Sequence, residues 1–305
     1  MPEQAIRGRG GPMAPAMSTP VVILQVVAAC IIAAGCLAVS PPLPDHVPLC
    51  LMPVGHVRQE LPGMPVPRTK VGRGERSPSD VDWGLIHADS PADAQRIQET
   101  LRHRCRTIKT IDTDRIRYVA GADAAYAQNR IHAAIAVLAF PGLEVVETAC
   151  VAEEIPFPYI PGFLSFREGP AILSAFFCLD TVPDLIIING HGVAHPKRFG
   201  IASHIGVILD LPSIGVAQRL LTGTAAFPGT ARGSIRPVLD GDDVIGMAVR
   251  TVEGSKPVFV SAGHKVDLTQ AVAMALAATT KHRLTEPLWH ADHLSRQCRD
   301  RKTGS

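Results

Sequence analysis

Hydrophobic and polar positions alternate differently along three stretches of this 305-residue chain. From 83 to 295 the pattern is that of a folded domain. Ala94, Ile97, Leu101 and Cys105 recur at the spacing of one helical face. Ser90 can cap that helix, Pro91 suits its first turn, and Asp93 favours its positive N-terminal end. Three strand-length runs follow, at 117–125, 131–140 and 143–152. Turn residues at Gln128-Asn129 and Pro141-Gly142 separate them, which predicts an antiparallel meander.

Helix and strand then alternate. Residues 166–179 read as a helix, with Gly169-Pro170 disturbing only its first turn, and 200–209 as a second helix. The continuous apolar run at 184–188 predicts a strand buried on both faces. Further strands are expected at 213–217, 244–252 and 258–262, and an alanine-rich helix at 268–280. This order predicts an α/β fold: a mixed sheet in which an antiparallel meander is followed by parallel strands with crossover helices.

The first 82 residues are different. They are rich in Pro, Gly and Arg, with one apolar run, VVILQVVAACIIAAGCLAV, at 21–39. That run has about the ~20 residues a membrane-crossing helix needs, and Arg7 and Arg9 precede it as in a signal anchor. Lipidation at Cys36 is a weaker variant of the same idea, since the usual leucine is missing. The low-complexity text at 41–80 favours the alternative that Met52 or Met64 begins the protein. The expected place is then the cytoplasm, with membrane anchoring through 21–39 as the alternative. A membrane-tethered protein that uses the fold for an unrelated contact is a reading that depends on this run. Residues 296–305 read as a basic tail.

Composition narrows the picture modestly. Hydrophobic residues at 46% and charged residues at 19% exclude a disordered chain. A net charge of +2 announces no nucleic-acid partner, so any such binding must come from local basic clusters. The seven cysteines form no CxxC pair and read as thiols of a reducing compartment.

Several residues can carry chemistry. Asp123 lies in the apolar strand text YVAGADAAY, where an acid is costly unless paired, protonated or bound to a metal. Glu168 follows PYIPGFLSFRE at the start of a helix, a place where an acid is also favoured on its own account. The prolines and glycine around Tyr159 and Ile160 make a stiff turn that can present an aromatic to a base, or pack under the sheet. IINGHGVAHPKRFGIASH leaves a buried strand at its C-terminal end, where α/β sheets place their sites. Its glycines permit close backbone approach, and Lys197-Arg198 is a compact phosphate-binding pair. A zinc site of His191, His195 and His204 is disfavoured, because the spacing in a glycine loop is not the helical HExxH arrangement. His264 lies between the last strand and the last helix, and a solvent-exposed turn histidine is its plainer reading.

In chain order, YVAGAD, PYIPGFLSFRE, NGHGVAHPKRFGIASHIG, IGVAQ and AGHKVDL resemble the endonuclease V family, as do RLTEP and HADHLS near the end. The resemblance covers nearly all of 83–295. It implies a ribonuclease H-like fold and a Mg²⁺-dependent endonuclease, with Mn²⁺ as a substitute, that cuts DNA or RNA near deaminated purines, chiefly inosine. Asp123 and Glu168 are then expected to bind the metal. Tyr159, Ile160 and Pro161 resemble the wedge that opens the strand, and Gly162, Leu164, Gly190, Gly200 and Ile201 the pocket for a flipped base. His195 is placed with that substrate set, and His264 near the scissile phosphate. A monomer is expected, and the sequence points to no particular protein partner.

Two departures stand out. The family's Asp before GHG is Asn189 here, which can offer an oxygen to the metal but no charge. Its GVAK lysine is Gln218, which can donate a hydrogen bond but supplies no cation. Arg219 should face the other side of the strand. Losing one electrostatic group can cost ~10²–10³ in rate. The alternative is therefore an inactive relative that keeps the wedge and base pocket.

Overall fold

The computed structural model describes residues 49–51, 56–59, 77–108 and 111–300. Two short strands come first, β1 (Leu49–Leu51) and β2 (His56–Gln59), then helix α1 (Pro91–Arg102). The meander is β3 (Tyr118–Ala127), β4 (Arg130–Ala139) and β5 (Val145–Glu154). Next come α2 (Leu164–Phe177), β6 (Leu185–Asn189), α3 (Ile201–Ile208) and β7 (Ser213–Ala217). The chain continues through β8 (Thr224–Ala225), β9 (Ile235–Asp240), β10 (Asp243–Val249) and β11 (Val258–Ala262). It closes with α4 (Leu268–Ala277) and α5 (Glu286–Asp300). The strands form one sheet in the order β1-β2-β5-β4-β3-β6-β7-β11-β10-β9-β8.

Local chemistry explains the elements that the pattern predicted. The Ser90 hydroxyl accepts the Asp93 amide at 3.2 Å, capping α1. Gln128 and Asn129 both take positive φ, 50° and 59°, so a two-residue turn joins β3 to β4 with a twist that matches the strands. Along β6, Leu185 and Ile187 enter one core layer and Ile186 and Ile188 the other. The first layer packs beneath α4 and α5, the second beneath α2 and α3. A third cluster joins Ala94, Ile97 and Leu101 of α1 to Phe157, Phe166 and Phe199, and so ties down the segments on either side of α2 and α3.

The structure corrects several expectations. Helix α2 begins at Leu164 and carries Pro170 within its second turn, not its first. Parallel pairing is confined to β3, β6 and β7, while β11 runs antiparallel to β7. Strands β8 and β9 and helix α5 were not predicted. The boundary expected at 295 falls inside α5. That helix lies so close to the sheet that a Cβ at Gly121 would stand 2.1 Å from the Pro287 carbonyl carbon. Among the described residues no helix is long and apolar enough to cross a membrane. The run at 21–39, Cys36, Met52 and Met64 lie outside the described residues.

Candidate active site

Parallel strands β3 and β6 end side by side, Ala122 opposite Ile188, and this brings Asp123 beside Asn189. Both side chains continue the alternation of the α4/α5 face. Asp123 is 7% exposed, and burial pushes its carboxyl up to about 7 against the lowering effect of its hydrogen bonds. Those bonds come from the Asn189 amide at 2.9 Å and the Ala124 N–H at 2.8 Å, both to Oδ1. Asp292 on α5 reaches the same carboxyl and raises it further. Arg296, one helical turn on, pairs with Asp292 at 2.8 Å.

Glu168 approaches from α2. It lies in the second turn of that helix and is buried, which lifts its carboxyl to about 8. The Tyr126 hydroxyl donates to its Oε1 at 2.7 Å, while the Asp123 charge raises it further. The Arg167 guanidinium lies 4.7 Å from the centre of the Tyr126 ring and donates to the Phe157 carbonyl at 2.7 Å. Two buried carboxyls held near neutrality, and a third at hand, form an acidic centre at the C-terminal ends of β3 and β6. Among the described residues no three His, Cys, Asp or Glu side chains close into a ready ion cage. Asn189, expected among the metal ligands, presents its NH₂ to Asp123 instead.

Asn189 leads directly into the second part of the site. A pocket of about 270 Å³ opens beside it, lined by Tyr159, Ile160, Pro161, Gly162, Leu164, Gly200 and Ile201 among others. Gly190, next in the chain, packs behind two of these residues: a Cβ there would come within 2.6 Å of the Ile201 side chain and 3.8 Å of Leu164. Gly162 takes φ +92°, which points its carbonyl at two donors, Gln98 and His195, each at 2.9 Å. The His195 Nδ1 accepts the Lys197 N–H at 3.1 Å, so the proton sits on Nε2 and goes to Gly162. Burial holds this imidazole neutral, at about 4. His195 therefore latches the glycine-rich loop to the turn carrying Tyr159, whose side chain is 70% exposed.

Other expected site residues lie elsewhere. His264 is at the opposite end of the sheet. Its N–H donates to Ser213 Oγ, and Ser213 pairs with Ile186, three residues before Asn189. Its Nε2 faces Asp210 at 3.3 Å and its Nδ1 accepts the Arg106 N–H. Strand β11 runs antiparallel to β7, which carries the residue after β11 away from the acids. Lys197 is paired with Glu99 at 3.4 Å, and Arg198 with Asp240 at 2.7 Å and Asp243 at 3.3 Å. The basic pair braces its own loop against α1 and the β9–β10 hairpin. Gln218 follows the end of β7, and its Oε1 accepts from the Arg283 guanidinium at 2.5 Å.

Sequence reasoning missed Asp292, Tyr126 and Arg283, and the pocket residues Ser165, Leu220 and Leu221; it weighed His191 only for zinc and Arg219 only as a stand-in for a lysine at 218. The text RLTEP and HADHLS was noted as a resemblance without a role for Arg283 or Asp292. A helical reading of 286–300 would have set Asp292 one turn beyond Leu288, on the face that packs on β3. His191 donates from Nε2 to the Arg219 carbonyl at 3.0 Å. That bond ties the start of the glycine loop to the chain after β7.

The family model for endonuclease V matches residues 99–293. An endonuclease V of Roseiflexus sp. (strain RS-1) is 48% identical over 206 residues, 68% of this chain and 92% of the relative. The crystal structure of the Streptomyces avermitilis endonuclease V is 44% identical, with a TM-score of 0.66 over 69% of this chain and 93% of that one. Endonuclease V of Ciona intestinalis, in complex with a 24mer DNA containing an inosine followed by a ribo-adenosine, is 26% identical. Its TM-score is 0.59, over 68% of this chain and 96% of that one. With its mixed ribonuclease H-like sheet and these matches, the chain belongs to the endonuclease V family of nucleases.

Proposed function

We propose that this protein is a Mg²⁺-dependent endonuclease, able to use Mn²⁺, that cuts a phosphodiester beside a flipped inosine in DNA or RNA. The observation that carries the reading is the adjacency of the acidic centre of Asp123, Glu168 and Asp292 to a pocket lined by Leu164 and Ser165, on the same helix as Glu168. A relative crystallised with inosine-containing DNA supports the choice of base.

The donor set fits a hard divalent cation. Buried carboxyls raised to about 7 and about 8 lack sufficient positive charge nearby, and Mg²⁺ keeps several waters, so one or two protein carboxylates suffice. Asp123 and Glu168 would hold it, with Asp292 alongside. When bound, the metal polarises the phosphate and lowers the pKa of an attacking water. The rest is the work of the chain. Tyr159, on a turn stiffened by Pro158 and Pro161, stacks in the gap left by the extruded base. The pocket receives that base, and a mispaired base costs least to extrude, a source of selectivity. His195, neutral and of fixed tautomer, keeps the two pocket walls in register.

Incubating the purified full chain with inosine-containing DNA and RNA, with Mg²⁺ or Mn²⁺, tests this. Cleavage of a phosphodiester near the inosine is expected. No cut at high enzyme concentration in either substrate overturns it.

Asn189 and Gln218 favour a second reading, a binding protein without cutting activity. It expects preferential binding to inosine and cleavage gained by Asn189→Asp with Gln218→Lys. Equal binding to inosine-containing and ordinary DNA rejects it.

A further inference from the structure

We infer that Arg283 is the phosphate-facing cation of this site, held in place by Gln218; the inference rests on the nuclease reading and extends it. Three observations lead there. First, Gln218 stands at the same end of the sheet as the acids. Asn189 pairs with Val216 across β6 and β7, and Val216 and Ile187 enter the same core layer; Gln218 follows directly on the end of β7, at the sheet end that carries Asn189.

Second, the Gln218 Oε1 accepts from Arg283 Nη2 at 2.5 Å. An amide that accepts from a guanidinium fixes its direction and leaves its own NH₂ as a donor. Third, the backbone at 283 is anchored independently of that side chain. The Thr251 hydroxyl, fully buried, donates to the Arg283 carbonyl at 2.6 Å. Glu286 then gathers Thr280, Lys281 and His282 at the start of α5. The guanidinium is thus delivered to the site by a braced loop.

The electrostatic need is plain. Asp123, Glu168 and Asp292 are acids, and a phosphodiester adds a further negative charge. Arg198 and Lys197 are engaged with their own acids, and Arg219 lines the base pocket on the other face. Arg283 can stay half-exposed on Gln218 and still turn its remaining N–H donors to a phosphate, the geometry a guanidinium suits. The charge missing at 218 is supplied from 283.

The test uses the full chain and an inosine-containing single-stranded oligonucleotide. Binding is measured in Ca²⁺ across a salt series, and single-turnover cleavage in Mg²⁺ or Mn²⁺, for wild type, Arg283→Gln and Arg283→Gln with Gln218→Lys. The expected result is a salt-dependence slope smaller by about one in Arg283→Gln, with cleavage at saturating enzyme at least tenfold slower. Returning the charge at 218 in the double variant recovers both. An unchanged slope in Arg283→Gln, or a loss that Gln218→Lys does not recover, overturns the assignment. If wild type binds but never cuts, the nuclease reading fails while the slope still judges Arg283.

Discussion

The Asn189 amide donates a hydrogen bond to Asp123 Oδ1 at 2.9 Å, at a position where the family carries an Asp and this chain was expected to offer a metal an amide oxygen. Without a cation, Asn189→Asp replaces that bond by a second carboxyl against Asp123, and the pair must share a proton or repel. We expect a loss on the order of 2 kcal/mol, or about 4–8 °C for a domain of this size. Millimolar Mg²⁺ should reverse the loss, because the added carboxylate becomes a ligand. Thermal unfolding with and without Mg²⁺ checks this, and a melting temperature indifferent to Mg²⁺ in the variant would count against the metal site. Combined with Gln218→Lys, the substitution should also raise cleavage tenfold or more.

Metal binding should release protons. Asp123 and Glu168 have folded-state carboxyls at about 7 and about 8, so both are substantially protonated at neutral pH. A dication binds their ionised forms, so Mg²⁺ affinity should rise between pH 6 and 8. Calorimetric titration in two buffers of different ionisation enthalpy measures the protons directly. Equal apparent heats in both buffers would contradict the assignment of these acids as ligands.

Tyr159 should matter for binding but not for stability. Its ring is 70% exposed and enters none of the core clusters. Tyr159→Ala is expected to leave the melting temperature within experimental scatter. Loss of stacking on a base, worth ~1–3 kcal/mol, should weaken affinity for an inosine-containing duplex about 5- to 150-fold. Tyr159→Phe should retain most of it. An unweakened Tyr159→Ala would remove the wedge role.

Acid should destabilise the fold through its buried histidines. His204 is fully buried and its Nε2 donates to the Leu85 carbonyl at 2.7 Å. Burial lowers both His204 and His195 from 6.5 to about 4. The unfolded chain therefore takes up protons that the folded one refuses. Their stabilisation is complete above pH 6.5 and is lost as pH falls from 6.5 toward 4, at most about 3 kcal/mol for each histidine. Asp123 and Glu168 act in the opposite sense, since raised carboxyls favour the folded state as pH falls. Calorimetry between pH 4.5 and 7.5 should show a shallower acid limb for His204→Gln than for wild type. Parallel limbs would show that His204 does not carry this dependence.

What the amino-acid sequence determined by itself was local. Period-two and period-3.6 patterns, turn residues and the Ser90 cap placed α1, the meander, β6, β7 and β11 within a few residues. The resemblance of YVAGAD, PYIPGFLSFRE and NGHGVAHPKRFGIASH to the endonuclease V family marked Asp123, Glu168, Asn189 and the pocket lining. Tertiary structure decided everything that depends on strand direction and distant pairing. His264 looked like a site residue until the antiparallel course of β11 carried it to the other end of the sheet. Lys197 and Arg198 looked like phosphate ligands until Glu99, Asp240 and Asp243, 98, 42 and 45 residues away in the chain, were found to neutralise them. Asp292 and Arg283 entered the site only because α5 folds back onto Gly121, the one position in β3 where the missing side chain lets a helix backbone approach. Charge and burial act through space, and the spacing of residues along a chain does not record which distant groups will share it.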